Sequence, residues 1–257
     1  MFESVSLCDE LVVTAAEADE VVCEGVEGPN LVADALAGLR ARGWGAPPVR
    51  VEIEKRIPVA GGMGGGSADA AALLRLAPRL APVRPEDVAA LAAELGSDVP
   101  AQLTPGLSLG SGAGEQVSPL APLPQHSFVI VPLTGQRLST AAVYAEADRL
   151  GLPRAGEELE ALRLELDRAL APGGPLPPSL LVNDLEPAAR ALCPAIGEAL
   201  LAVSDAGADH AFVCGSGPTV AGMFWGERGA ERARDAAERL VRRFPGAVAV
   251  APVSSRA

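Results

Sequence analysis

The spacing of apolar and polar positions divides the chain into segments that read as strands and helices. Residues 1–7, 10–15 and 21–24 are rich in β-branched and apolar side chains and predict three strands at the start. Residues 30–42 carry Leu31, Val32, Ala35, Leu36 and Leu39 at helical spacing, with Asn30 as a cap and Gly43 as a stop. Residues 49–53 alternate apolar and polar, as a half-buried strand does. Residues 85–95 begin on Pro85, carry Glu86 and Asp87 in the first turn and stop at Gly96, which predicts a second amphipathic helix. Short strands and turns are expected around residues 107–109. After prolines at 119, 122 and 124, a strand at 128–132 opens a second half. There, helices at 140–150, 157–170, 183–204 and 231–244 alternate with strands at 211–214, 219–225 and 247–253, and residues 172–178 form a proline-rich, stiff connection. The pattern predicts an α+β protein of two domains, 1–124 and 125–257.

One stretch between the strand at 49–53 and an alanine-rich helix expected over 68–76 stands apart. Five glycines, Gly61, Gly62, Gly64, Gly65 and Gly66, leave only Met63 with a side chain between residues 61 and 66. Such a backbone reaches positive φ without strain, and its N–H groups converge on one point. With Ser67 as the expected N-cap, the helix start adds further donors and a positive dipole end, so the stretch reads as a phosphate cradle. A Walker A loop is excluded because it needs Gly-Lys-Ser/Thr, and Lys55, the only lysine in the chain, precedes the glycines. A dinucleotide fingerprint fails at its last position, where Gly62 and Gly64 are followed by Ser67. A flexible linker is the bland alternative, and its position between a strand and a helix argues against it.

Net charge narrows the choice of partners. A formal charge of −12 disfavours nucleic acid and anionic membrane surfaces, yet leaves room for a small phosphorylated ligand in a local donor pocket. No run of about twenty apolar residues predicts a membrane span. Cys8, Cys23, Cys193 and Cys214 form no C-x-x-C pair and read as reduced structural thiols in a cytoplasm. His126 and His210 are too far apart in sequence to suggest a metal cluster, and no metal ligands are assigned. Asp98, in Gly-Ser-Asp-Val-Pro after a helix end, is by position a cap or turn former, with a catalytic role as the alternative. The turn Gly215-Ser216-Gly217-Pro218, taken alone, reads as an ordinary hairpin.

Four motifs occur together in order: the glycine loop, Leu-Gly-Ser-Asp-Val-Pro at 95–100, Asn183-Asp184-Leu185-Glu186, and Gly215-Ser216-Gly217-Pro218-Thr219-Val220. On these the chain resembles the 4-diphosphocytidyl-2-C-methyl-D-erythritol kinases of the GHMP small-molecule kinase superfamily, from about Phe2 to the C-terminus. The resemblance implies a two-domain fold, with a ribosomal-protein-S5-domain-2-like N-terminal part and a ferredoxin-like C-terminal part. It implies phosphoryl transfer from ATP, with Mg2+, to the 2-hydroxyl of a cytidyl diphosphate substrate in non-mevalonate isoprenoid synthesis, by a monomer or homodimer. By the same analogy Pro58, Val59, Ala60, Gly61, Gly62, Met63, Gly64, Gly65, Gly66, Ser67 and Ala68 wrap the ATP phosphates, and Asp98 is the base. Thr140, Tyr144, Gly215, Ser216 and Gly217 then serve the substrate, Tyr144 lying against cytosine, while Asn183 and Asp184 are structural.

The family pattern begins with Pro-x-Lys-Leu-Asn-Leu and an Asp-Gly-Tyr-His segment that this sequence lacks. A start codon assigned too far downstream is the favoured expectation, over a truncation or a nucleotide-binding pseudoenzyme, because the remaining motifs keep their polar and glycine residues. Lys55 aligns ahead of the phosphate loop and is expected to have no part in replacing the family's lysine. Smaller departures are Ala101-Gln102 after Pro100, and Cys214 before the second glycine turn.

Overall fold

The computed structural model describes residues 1–26, 28–112, 114–170 and 176–253, arranged as two compact units. The first comprises Met1–Val59 and Gly64–Leu120, joined by Val253; the second comprises Ala60–Met63 and Ala121–Pro252. The tip of the glycine loop is thus grouped with the second unit while both of its limbs stay in the first.

In the first unit, β1 (Phe2–Glu3), β2 (Glu10–Ala15) and β3 (Glu20–Val22) precede α1 (Leu31–Ala41) and β4 (Val49–Glu54). Next come α2 (Gly65–Leu80), α3 (Pro85–Leu95), α4 (Val99–Leu103), β5 (Leu107–Ser111) and β6 (Gln116–Pro119). Strand β4 is central to one sheet, antiparallel to β2 and parallel to β3, and β1, β5 and β6 form another. Asn30 caps α1 as expected, its Oδ1 accepting from the Val32 N–H at 2.9 Å. Val32, Leu36 and Leu39 of α1 pack with Leu73 and Leu74 of α2 and Val51 of β4. Trp44 closes this core, and its indole N–H donates to the Ala77 carbonyl at 3.2 Å.

Three expectations need correction in this unit. The opening strand shrinks to two residues, because only Phe2 and Glu3 pair with β5. Helix α2 starts at Gly65 and passes through Pro78, so it is longer at both ends than expected. Ser67 is not its N-cap: Gly64 holds that position at φ +65°, and Ser67 lies within the first turn.

In the second unit, β7 (His126–Val131) is followed by α5 (Thr140–Leu150), α6 (Gly156–Leu170), α7 (Glu186–Leu192) and α8 (Ala195–Asp205). Strands β8 (His210–Val213) and β9 (Val220–Trp225), helix α9 (Gly229–Leu240) and β10 (Val248–Val250) complete it. The sheet is antiparallel in the order β10-β7-β9-β8, the ferredoxin-like arrangement of two split βαβ units. The helix expected over 183–204 divides into α7 and α8 at Pro194, which follows the Cys193 C-cap of α7 and removes a backbone donor. Of the connection expected over 172–178, residues 172–175 lie outside the described residues, and Pro178–Leu180 form a 3₁₀ turn.

Tight packing of α8 on this sheet has a local signature at Gly222. A Cβ there would lie 2.4 Å from Val203 Cγ1, 3.0 Å from Ala208 Cβ and 3.1 Å from Val129 Cγ1. Gly222→Ala is therefore expected to destabilise the protein by about 1–3 kcal/mol through overpacking. Chemical denaturation measures this, and an unchanged midpoint would show that α8 has room to shift.

Candidate active site

The glycine loop folds as its composition dictates, with Ala60, Gly62 and Gly64 at φ +56°, +75° and +65°. Gly64 has no side chain to cap α2, and no side-chain hydrogen bond caps this helix start. The donors of its first turn therefore point out of the helix without a side-chain acceptor, which is the geometry that receives an anion. Gly65 cannot carry a side chain cheaply either: a Cβ would lie 3.0 Å from Ile57 Cγ2 and 3.3 Å from Lys55 Nζ.

Asp98 stands beside this helix start. It occupies the N-cap position of α4, yet its side chain makes no capping hydrogen bond. Its Oδ2 lies 3.9 Å from the point a Gly64 Cβ would occupy. Burial pushes the carboxyl above its ordinary range. A half-buried carboxylate at a glycine turn, committed to neither a cap nor an ion pair among the described residues, retains its lone pairs for a ligand or a proton.

In the second unit, the loop tip rests on the turn between β8 and β9. Gly215 and Gly217 adopt φ +51° and +79°. The Thr219 N–H donates to the Gly61 carbonyl at 3.3 Å. A Cβ on Gly62 would meet the carbonyl oxygens of Cys214 at 2.5 Å and Gly217 at 2.6 Å. This turn is a hairpin and also the backing of the loop tip. Asn183 holds it in shape, its amide donating to the carbonyls of Val213 at 2.9 Å and Gly215 at 2.7 Å. Thr140 Oγ1 and Ser216 Oγ are 3.1 Å apart, which brings together two of the residues expected to serve a substrate. Tyr144, one turn further along α5, is 56% exposed.

Sequence reasoning missed a buried ionic cluster at the neck of the loop. Lys55, just after β4, contacts Asp9 and donates to Asp69 Oδ2 at 2.7 Å. Asp9 Oδ1 also accepts from the Ile57 N–H at 2.8 Å. The only available signal was the lone lysine two residues ahead of the loop's apolar start. Asp9 and Asp69 are separated by too many residues to be paired from sequence. Burial works against the Asp9 charge, but Lys55 and the N–H groups of Ile57 and Arg56 hold its carboxyl below the ordinary range. Asp69 receives less help: burial, with the Asp9 charge adding to it and Lys55 opposing, pushes its carboxyl up to about 6.

The Asp69 shift fixes the sign of a pH effect. The folded state keeps this proton to about pH 6 whereas an unfolded aspartate loses it near 3.8, so this group's contribution to stability falls as pH rises through that window. Asp69→Asn removes the titration, so its stability should rise relative to the unmodified chain by about 3 kcal/mol between these limits. Denaturant melts at a series of pH values test this, and parallel stability curves for the two proteins would contradict it.

Comparison with known proteins agrees with this architecture. The family model for the GHMP kinases N terminal domain matches residues 30–106, and that for the GHMP kinases C terminal matches residues 159–243. A 4-diphosphocytidyl-2-C-methyl-D-erythritol kinase of Streptomyces coelicolor is 42% identical over 232 residues, covering 86% of this chain and 77% of the relative. One of Mycolicibacterium gilvum is 45% identical over 237 residues, covering 86% and 72%. A crystal structure of 4-(cytidine 5'-diphospho)-2C-methyl-D-erythritol kinase superposes with a TM-score of 0.74 at 33% identity, covering 96% of this chain and 87% of that one. A homoserine kinase from Cytophaga hutchinsonii shares the fold with a TM-score of 0.68 at 18% identity. On fold, motif order and identity, the chain belongs to the 4-diphosphocytidyl-2-C-methyl-D-erythritol kinase family of GHMP kinases.

Proposed function

We propose that the chain transfers the γ-phosphoryl group of ATP to the 2-hydroxyl of 4-diphosphocytidyl-2-C-methyl-D-erythritol, as a cytoplasmic enzyme of non-mevalonate isoprenoid synthesis. The observation that carries this reading is the side-chain-free start of α2 at Gly64 beside the uncommitted carboxylate of Asp98. Residues 58–68 wrap the triphosphate, with main-chain N–H groups as the donors. Thr140, Tyr144 and the turn Gly215, Ser216 and Gly217 hold the cytidyl substrate, the Thr140–Ser216 contact fixing one side of that set.

Phosphoryl transfer asks the protein for position and charge stabilisation more than for covalent chemistry. Asp98 orients the accepting hydroxyl and takes its proton as the oxygen attacks phosphorus. Burial raises the carboxyl's affinity for that proton, which makes it a better base than a solvated aspartate. The donor chemistry also fits Mg2+ arriving with the nucleotide. Among the described residues no group of three or more His, Cys, Asp or Glu could cage a metal ion. Mg2+, however, typically needs only one or two protein ligands beside substrate phosphates. The Ser67 hydroxyl, in the first turn of α2, is the side chain that would hold it beside the nucleotide's own phosphates, and Mg2+ bound there would neutralise charge developing on the phosphate oxygens.

The direct test is ATP-dependent phosphorylation of the cytidyl substrate, with homoserine and mevalonate as competing acceptors and phosphorus NMR locating the new ester. Asp98→Asn should lower kcat by about 10²–10⁴-fold, with KM for ATP little changed. Its melting temperature should be unchanged or higher, because a buried unpaired charge is removed. Full turnover in Asp98→Asn would defeat the assignment. Nucleotide binding without turnover in the unmodified chain would favour a nucleotide-binding protein instead.

A further inference from the structure

The ionic cluster at the neck of the glycine loop has a geometry that neither the fold nor the proposed chemistry requires. The loop leaves the first unit after Val59 and rejoins it at Gly64. Asp9, just before β2, accepts main-chain hydrogen bonds from Arg56 and Ile57 on the incoming limb. Asp69 projects from the second turn of α2 on the outgoing limb. Lys55 joins the two carboxylates, and its Nζ comes within 3.3 Å of the Cβ position of Gly65, the first residue of α2. All three side chains are largely removed from solvent, with exposures of 1% for Asp9, 6% for Asp69 and 15% for Lys55.

A cluster like this is a poor device for stability alone, since taking three charges out of water often costs as much as their attraction returns. It is well suited to fixing geometry. Charged groups that must be paired admit few alternative arrangements, and this one spans the two limbs of a loop whose glycines supply no side chains to hold it.

We infer that Asp9, Lys55 and Asp69 are positioning residues that clasp the neck of the glycine loop and set its affinity for the nucleotide triphosphate without touching it. The inference rests on the reading of the loop as the ATP phosphate site. It differs from the expectation that Lys55 stands outside the site: the lysine acts on the loop's shape, through the carboxylates, and takes no part in the chemistry.

The test is calorimetric titration of the full chain with a non-hydrolysable ATP analogue and magnesium, together with steady-state kinetics. Lys55→Met should weaken binding of the analogue about 10-fold or more and raise KM for ATP, with kcat and KM for the cytidyl acceptor much less affected, because a misplaced loop loses ground-state contacts first. Lys55→Arg, which restores the charge and the hydrogen bonds, should recover most of the affinity. Gly222→Ala, which overpacks the second unit's core, supplies a destabilised control that should bind the analogue normally. Should Lys55→Met not fold, the isosteric Asp69→Asn takes its place, with a smaller loss in the same direction. Lys55 is the only lysine in the chain. Selective ¹³Cε-lysine labelling therefore gives a single resonance, which should move with Asp9→Asn and with Asp69→Asn. Unchanged affinity in Lys55→Met or Asp69→Asn would overturn the clasp alone. Failure of the unmodified chain to bind the analogue would overturn the phosphate-loop reading and the clasp with it.

Discussion

Main-chain N–H groups hold a phosphate only if they converge with no Cβ in the way, and a segment stripped of side chains for that purpose cannot hold its own shape. The surroundings of the glycine loop answer this constraint. The loop tip is backed by a second side-chain-poor turn, where backbone meets backbone at Gly62 and Gly217 with no space for a methyl group. The limbs are tied by the Asp9–Lys55–Asp69 cluster. The helix that carries the outgoing limb is anchored on its buried face by Ala70, Leu73, Leu74 and Ala77, so its N-terminus stays where the donors are useful.

The three carboxylates around the loop show how one side chain serves three ends in three environments. Asp9 is surrounded by donors, remains charged and acts as a fixed acceptor. Asp69 shares the same lysine with fewer donors, and burial leaves it titrating nearer neutrality. Asp98 has burial and no resolved compensating donor, which is the setting expected of a base. In this strongly acidic chain, local desolvation and pairing set the character of each of these carboxylates.

Much of this was legible in the sequence because its causes are local. Asn30 before an apolar-periodic run, Pro85 ahead of two acidic residues, and alternation at 49–53 each produced the expected element. Ser67 was misread as a cap because serine usually wins that position, whereas the glycine loop lets the helix wind back to Gly65. The break at Pro194 was hidden by continuous helical periodicity on either side. The tie from Asn183 to the second glycine turn and the grouping of Asp9, Lys55 and Asp69 were invisible, because they join positions distant in sequence and depend on tertiary packing.

The central claim is that backbone donors of the glycine loop receive the nucleotide's phosphates. Amide chemical shifts of the ¹⁵N-labelled chain, followed during titration with a non-hydrolysable ATP analogue and magnesium, test it most directly. The account predicts the largest shifts on the N–H groups of residues 61–68. Saturable binding that leaves those amides unmoved and perturbs another surface would contradict it.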